Sequence, residues 1–223
     1  MTAGAGVTGI SKLIPVTIPG PAGSLEGLLQ ERERNPARII AVVCHPHPLY
    51  GGTLHNKVVH RTASTLHQLG VVVLRFNYRG VGLSAGHYDH GAGELDDAST
   101  ALRWLEARHP FARRWLVGFS FGAWVAARLA AAESAIERVV LIAPGVLTSS
   151  FESMHTATVP KLVIQGTADD ICPLAALEHE YPAWADPKEL ALVEGATHFF
   201  DRQLGALGDA LTLYLGPVMG DPA

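Results

Sequence analysis

The stretch Trp115-Leu116-Val117-Gly118-Phe119-Ser120-Phe121-Gly122-Ala123-Trp124 runs a short apolar segment into a serine with glycine two residues away on either side, and then into an Ala-rich helical pattern. That order reads as a strand, a sharp turn and a helix, with Ser120 at the apex. In such a context G-x-S-x-G is the pattern of a nucleophile elbow, because the apical residue is strained and its neighbours must be small for the turn to close. Gly118 and Gly122 meet that need. The same five-residue pattern also occurs at ordinary strand-to-helix turns, so a base and an acid have to be found elsewhere in the chain.

The segments around the elbow set the fold. Residues 12–18 and 24–30 alternate weakly between apolar and polar about Pro19-Gly20-Pro21, the signature of a β-hairpin at a sheet edge. Glu31 to Pro36 reads as a polar, proline-ended turn. The continuous apolar run at residues 39–44 has the character of a strand buried on both faces, residues 71–76 read as a second buried strand, and residues 114–119, 138–143, 161–165 and 189–193 complete the strands. Helical spacing recurs at residues 55–69, 94–108, 120–132, 174–184 and 200–215. Strands alternating with helices after a hairpin predict an α/β fold, a mostly parallel central sheet of about 7–8 strands with helices on both faces. In such sheets the chemistry collects beyond the carboxyl ends of the strands.

With 223 residues, 48% hydrophobic and 17% charged, the chain is long enough for one sizeable core. A single domain over residues 1–223 is expected, with its core at about 12–215 and no internal repeat or linker. The formal charge is −4, and no basic run stands out beyond Arg113-Arg114. That balance argues against nucleic acid or an anionic membrane as partner. Met1 to Ile10 lacks a basic start followed by an apolar stretch, and no segment approaches the ~18 apolar residues of a membrane helix. A cytoplasmic protein acting on a small molecule, as monomer or homodimer, is expected. Cys44 and Cys172 each fall in or beside a core element, where free thiols are common.

A serine hydroxyl needs a histidine to take its proton and a carboxylate to orient that histidine. In this architecture the chain order is Ser, then Asp or Glu, then His. Downstream of Ser120 stand His155, His179 and His198. His198, between the last strand and the last helix, projects from the carboxyl edge of the sheet and is the best base. His179 lies within a helix, on a solvated face, and His155 lies in a loop that could touch substrate. Asp169 and Asp170 both follow the strand ending at Gly166; Asp169 is favoured as the acid, with Asp170 suited to capping the next turn. An oxyanion hole needs two backbone N–H groups. Phe121 supplies one, and the loop after Cys44 the other: Pro46 and Pro48 have no N–H, which leaves His47, or Leu49 or Tyr50.

Other signals read as structural. His45, His47 and His55 lack metal-site spacing, and two prolines limit their convergence. The Gly80 to Gly86 segment is one residue off the dinucleotide fingerprint and reads as a turn. Glu94, Asp96 and Asp97 cap or solvate a helix start, with Glu94 also placed to pair with Arg79.

With these residues located, the chain resembles the α/β-hydrolase fold superfamily. The likeness is closest to small, lidless bacterial serine hydrolases carrying an oxyanion loop of the type His45-Pro46-His47-Pro48-Leu49-Tyr50-Gly51-Gly52-Thr53. Arg75 to Gly86, Gly93-Glu94-Leu95-Asp96-Asp97, the elbow, the Asp169 loop and Gly195 to Phe200 carry the same likeness. The resemblance implies a Ser-Asp-His triad at Ser120, Asp169 and His198, and neither metal nor organic cofactor. Where many members have Val before Pro in the acid loop, this chain has Cys172.

About 17 residues separate the strand ending near Ala143 from the one beginning at Lys161, too few for a helical cap. An open site is therefore expected. Leu49, Tyr50, Phe121, Val146, Leu147, Met154 and Phe199 are expected to ring it and to favour an apolar acyl or alcohol group of modest size. The leading expectation is a carboxylesterase acting on short-to-medium acyl esters. A thioesterase or small-amide hydrolase shares the chemistry, and a non-catalytic binding module is the reading from another class.

Overall fold

In the computed structural model, residues 11–32 and 37–219 are described. The stretch Met1 to Ile10 and most of the turn expected at Glu31 to Pro36 lie outside them. Strand β3 (Ile39–Cys44) is buried at all six positions, as its unbroken apolar run requires. Its side chains alternate between two cores: Ile40, Val42 and Cys44 enter one, Ile39, Ala41 and Val43 the other. The sheet is therefore covered on both faces.

The hairpin of β1 (Ser11–Gly20) and β2 (Gly23–Arg32) stands at one edge, paired in register from Ser11 with Arg32 to Gly20 with Gly23. The remaining strands are β4 (Val72–Phe76), β5 (Arg113–Phe119), β6 (Ile136–Ile142), β7 (Lys161–Gly166) and β8 (Lys188–Val193). All eight join one sheet in the order β1-β2-β4-β3-β5-β6-β7-β8. β2 pairs antiparallel with β4, and every pairing from β4 to β8 is parallel.

Helices α1 (Lys57–Gln68) and α5 (Leu204–Leu215) bury Val58, Val59, Leu66, Leu207 and Leu211 against one face. On the other face α2 (Ala92–Arg108), α3 (Phe121–Ala132) and α4 (Leu174–Glu180) contribute Ala98, Leu102, Val125, Leu129 and Leu177. The helix expected over 174–184 ends at Glu180 and passes into a 3-10 turn at Tyr181–Ala183, where Pro182 cannot donate an α-helical bond. Likewise α5 begins at Leu204, later than position 200, because Phe200 and Arg202 adopt positive φ. Among the described residues no helix is long and apolar enough to cross a membrane. Cys44 and Cys172 are both free.

Two features shape the carboxyl edge. Residues 143–160 form one connecting loop with a 3-10 turn at Glu152–His155, so no lid stands over the end of β5. The loop after β4 is anchored by Arg79, whose Nε and Nη2 donate to Oδ2 and Oδ1 of Asp97 at 3.0 and 2.8 Å. The Arg79 backbone N–H adds a third bond to Oδ2 at 2.9 Å. Arg79 thus pairs with Asp97 and not Glu94, whose carboxylate accepts from the N–H groups of Gly91 and Asp89 at the start of α2. A side chain at Gly93 would collide with the guanidinium, at 2.1 Å.

The Asp97 side chain is fully buried, so removing its partner strands a charge. Arg79→Gln is expected to lower unfolding free energy by about 3–5 kcal/mol, read from urea melts. A loss within about 0.5 kcal/mol would mean that the pair does not hold this loop.

Candidate active site

Ser120 has φ 56° and ψ −116°, a conformation that L residues avoid, at the junction of β5 and α3. Its N–H donates to the Ile142 carbonyl of β6 at 2.9 Å, which fixes the apex to the neighbouring strand. The flanking glycines permit the turn. A Cβ at Gly118 would lie 2.0 Å from the Gly122 carbonyl oxygen, and one at Gly122 would lie 2.2 Å from that of Cys44. Backbone therefore meets backbone at the end of β3, the end of β5 and the first turn of α3.

That contact brings two backbone donors together. Among the described residues neither the Phe121 nor the His47 N–H has a protein acceptor. The alternatives on the same loop are engaged: Leu49 N–H donates to His47 Nδ1 at 3.2 Å and Tyr50 N–H to the His47 carbonyl at 3.1 Å. The His47 and Phe121 rings pack with centroids 4.9 Å apart.

Across the edge, His198 Nδ1 and Asp169 Oδ2 are 2.9 Å apart, both side chains almost wholly buried. Asp169 Oδ1 accepts from the N–H groups of Ile171 and Cys172 at 2.9 and 2.7 Å, and Oδ2 also accepts from Gln165 Nε2 at 3.1 Å. Four donors thus fix the carboxylate. Asp170, its neighbour, is exposed. The His198 ring lies against Phe119 of β5, centroids 4.9 Å apart.

No hydrogen bond joins Ser120 to His198 directly. The serine hydroxyl lies against the Cys172 thiol, and burial pushes that thiol up to about 12, against a smaller lowering by the hydroxyl. Cys172 stays a neutral thiol through the physiological range. Among the described residues Asp169, Cys172 and His198 form the one set of three potential metal ligands, with an atom from each within 4.8 Å of the others. The carboxylate and imidazole of that set are already bonded to each other. His45, His47 and His55 form no such set.

A cavity of about 520 Å³ opens beside Ser120, lined by His47, Tyr50, Tyr88, Phe121, Trp124 and Arg128 with the Thr148-Ser149-Ser150 segment, among others. A second cavity, of about 300 Å³ over the β1–β2 hairpin, is bordered by His55 but by none of Ser120, Asp169, His198, His47 or Phe121.

A family model described as serine aminopeptidase, S33, matches residues 36–154, more than half of the chain. The chain belongs to this α/β-hydrolase family. A Coxiella burnetii structure, described as an alpha-beta serine hydrolase homologue, superposes with TM-score 0.87 at 37% identity, covering 91% of this chain and 97% of that one. A Xanthomonas campestris structure, described as an a/b serine hydrolase without lid, also gives TM-score 0.87, at 36% identity over 95% of this chain and 97% of that one. A Rickettsia prowazekii protein described as uncharacterized is 36% identical over 205 residues, 88% of this chain and 86% of its own length.

The hydrolase cavity differs from the apolar ring that the sequence suggests. Tyr50 and Phe121 line it, whereas Met154 is fully buried in the core beneath the loop. Leu49 faces an adjoining shallow cleft with Arg79 and Tyr88. Phe199 packs on His198 and Phe119 and carries Lys57 over its ring, outside the cavity. Val146 and Leu147 do not line it either. His155 pairs with Glu180 at 3.0 Å, away from the cavity, and His179 is exposed. Tyr88, Trp124, Arg128 and Ile171 are among the lining residues that the sequence did not suggest, together with His90, Cys172 and the Thr148-Ser149-Ser150 segment. Helical spacing from Ser120 could have found Trp124 and Arg128.

His45 braces the oxyanion-loop backbone. Its Nδ1 donates to the Pro46 carbonyl at 2.6 Å and its Nε2 accepts from Tyr78 N–H at 3.2 Å. Only the neutral ring makes both bonds, because a protonated Nε2 cannot accept from Tyr78. Burial, opposed in part by the Pro46 carbonyl, lowers the His45 pKa to about 4. An unfolded histidine titrates near 6.5, so between the two values the unfolded chain takes up a proton that the fold refuses. This stability is complete above about pH 6.5 and is lost as pH falls toward about 4, on the order of 3 kcal/mol. His45→Gln, which keeps a donor and an acceptor, is expected to flatten the fall in urea stability between neutral and acidic pH. An unchanged slope would contradict this role.

Proposed function

We propose that this hydrolase is a carboxylesterase that acts on short-to-medium acyl esters through Ser120, His198 and Asp169. The observation that carries the reading is the buried Asp169–His198 bond at the same sheet edge as a serine held in strained geometry. In the reaction, the Ser120 hydroxyl turns from Cys172 toward His198 Nε2, which takes its proton as Oγ attacks the ester carbonyl carbon. Asp169 holds Nδ1–H and supports the imidazolium. The carbonyl oxygen gains negative charge where the Phe121 and His47 N–H groups are free to donate. His198 then gives the proton to the departing alcohol, leaving an acyl-Ser120 ester. Water, deprotonated by His198, attacks that ester, and Ser120 regains its proton as the acid leaves.

A thioester or small amide would pass through the same steps. The family description as serine aminopeptidase raises peptides in particular. Against it, no Asp or Glu is among the residues lining the cavity, so the ammonium of a peptide N-terminus would meet no carboxylate there. A binding module would have no use for a strained serine or a four-donor carboxylate, which is why the catalytic reading is preferred.

A fluorophosphonate probe is expected to label the protein at Ser120, and Ser120→Ala to abolish labelling. Asp169→Asn is expected to lower kcat for p-nitrophenyl butyrate by about 10³–10⁴-fold, with Asp170→Asn near wild type. Full activity in Asp169→Asn would overturn the triad.

A further inference from the structure

One face of α3 forms a wall of the cavity. Phe121, Trp124 and Arg128 stand at i, i+3 and i+7, a single stripe of the helix that begins at the elbow. With a rise of about 1.5 Å per residue, the Arg128 backbone lies about 12 Å along the axis from Ser120. The stripe starts beside the candidate nucleophile, continues as aromatic surface and ends at a cation.

The aromatic part is continuous. Phe121 packs against His47 and Trp124 with centroids 4.9 and 5.5 Å apart, and Tyr88 meets Phe121 at 6.4 Å. Ring faces and edges of this kind favour a planar, polarisable group over a linear chain. The Arg128 guanidinium lies 5.7 Å from the centre of the Trp124 ring. Among the described residues it has neither an ion pair nor a hydrogen bond. Among the same residues Arg79, Arg108, Arg113 and Arg114 stand within 4.0 Å of a carboxylate, whereas Arg61, Arg103 and Arg202 do not, so what sets Arg128 apart is its place on the cavity wall. No carboxylate lines the cavity, so its one permanent charge is positive and unneutralised. An exposed arginine over a tryptophan is common on helix surfaces, but here both residues line the cavity that holds Ser120.

Resting on the hydrolase reading above, we propose that the site selects esters bearing an aromatic ring near the scissile bond and a carboxylate on the order of 10 Å from the ester carbonyl, bound by Arg128. The ring occupies the surface of Phe121 and Trp124. The carboxylate takes the forked donors of the guanidinium, and the hydroxyls of the Thr148-Ser149-Ser150 segment supply further polar contact. Arg128 acts as a specificity residue and takes no part in bond making.

Two matched ester pairs test this, one for each side of the scissile bond. The first is methyl 3-phenylpropanoate and its para-carboxylate; the second is 2-phenylethyl acetate and its para-carboxylate. In one pair, wild type is expected to favour the carboxylated ester in kcat/KM by about tenfold, mostly through KM, since the contact is made equally in ground and transition states. That ratio should shrink as salt is added. Arg128→Gln should bring it near one, and Arg128→Glu should invert it. A wild-type ratio near one in both pairs, or a ratio unchanged in Arg128→Gln, would overturn the inference while leaving the hydrolase reading standing. Turnover of none of the four esters, with fluorophosphonate labelling of Ser120 intact, would also overturn it alone. Absence of both turnover and labelling would overturn the hydrolase reading as well.

Discussion

At the carboxyl edge of the sheet, three backbone segments touch without a layer of side chains between them. Gly118 lies under the Gly122 carbonyl and Gly122 under the Cys44 carbonyl, each so close that a methyl group would overlap an oxygen. β3 and β5 are parallel neighbours in register at Cys44 and Gly118, so the contact continues the hydrogen-bonded ladder. Ser120 is thereby held at positive φ, and the loop after β3 is brought beside the first turn of α3. The pairing of free N–H groups at Phe121 and His47 follows from that approach. So does the direction of α3, along which Trp124 and Arg128 extend the cavity. A strained apex of this kind costs on the order of 1–3 kcal/mol, and the bond from Ser120 N–H to Ile142 with burial of β5 and β6 offsets it.

Buried polar groups then fix the loops around that contact. Asp169 accepts from Gln165, Ile171, Cys172 and His198, so the carboxylate has little freedom to rotate. Gln165 also donates to the Cys172 carbonyl at 2.8 Å, and its own carbonyl oxygen is left without a partner. His45 and the Arg79–Asp97 pair do the same work for the loops after β3 and β4. Each bond sits where water is excluded, so a wrong rotamer or protonation state would leave an unpaired buried group. Positioning at this edge therefore depends on polar satisfaction as much as on packing.

Much of this was legible in the chain. The succession of strands and helices along the chain and the α/β class follow from apolar runs and helical spacing, which are local signals, whereas the order of the strands in the sheet does not. The candidate triad was readable because Ser120, Asp169 and His198 each follow a strand, and parallel strands deliver such loops to one edge. Three-dimensional detail was not. Met154 has the composition of a pocket residue, but its loop folds inward and buries it. Asp97 looked like a helix-start solvation residue, and only the path of the β4 loop brings Arg79 onto it. Arg128 reads as the solvated face of an Ala-rich helix until the cavity alongside α3 is seen. Cys172 was noted as a departure from the related proteins, yet nothing in its neighbours revealed that its thiol lies against the serine hydroxyl.

The chemistry proposed for this edge requires Phe121 and His47 to donate to the oxygen of a group bonded to Ser120. A crystal structure of the fluorophosphonate adduct tests it most directly. Phosphorus is expected to be bonded to Ser120 Oγ, with the phosphoryl oxygen about 2.7–3.1 Å from both backbone nitrogens. A phosphoryl oxygen turned to solvent, or held by Cys172 with these two N–H groups left unpaired, would contradict it.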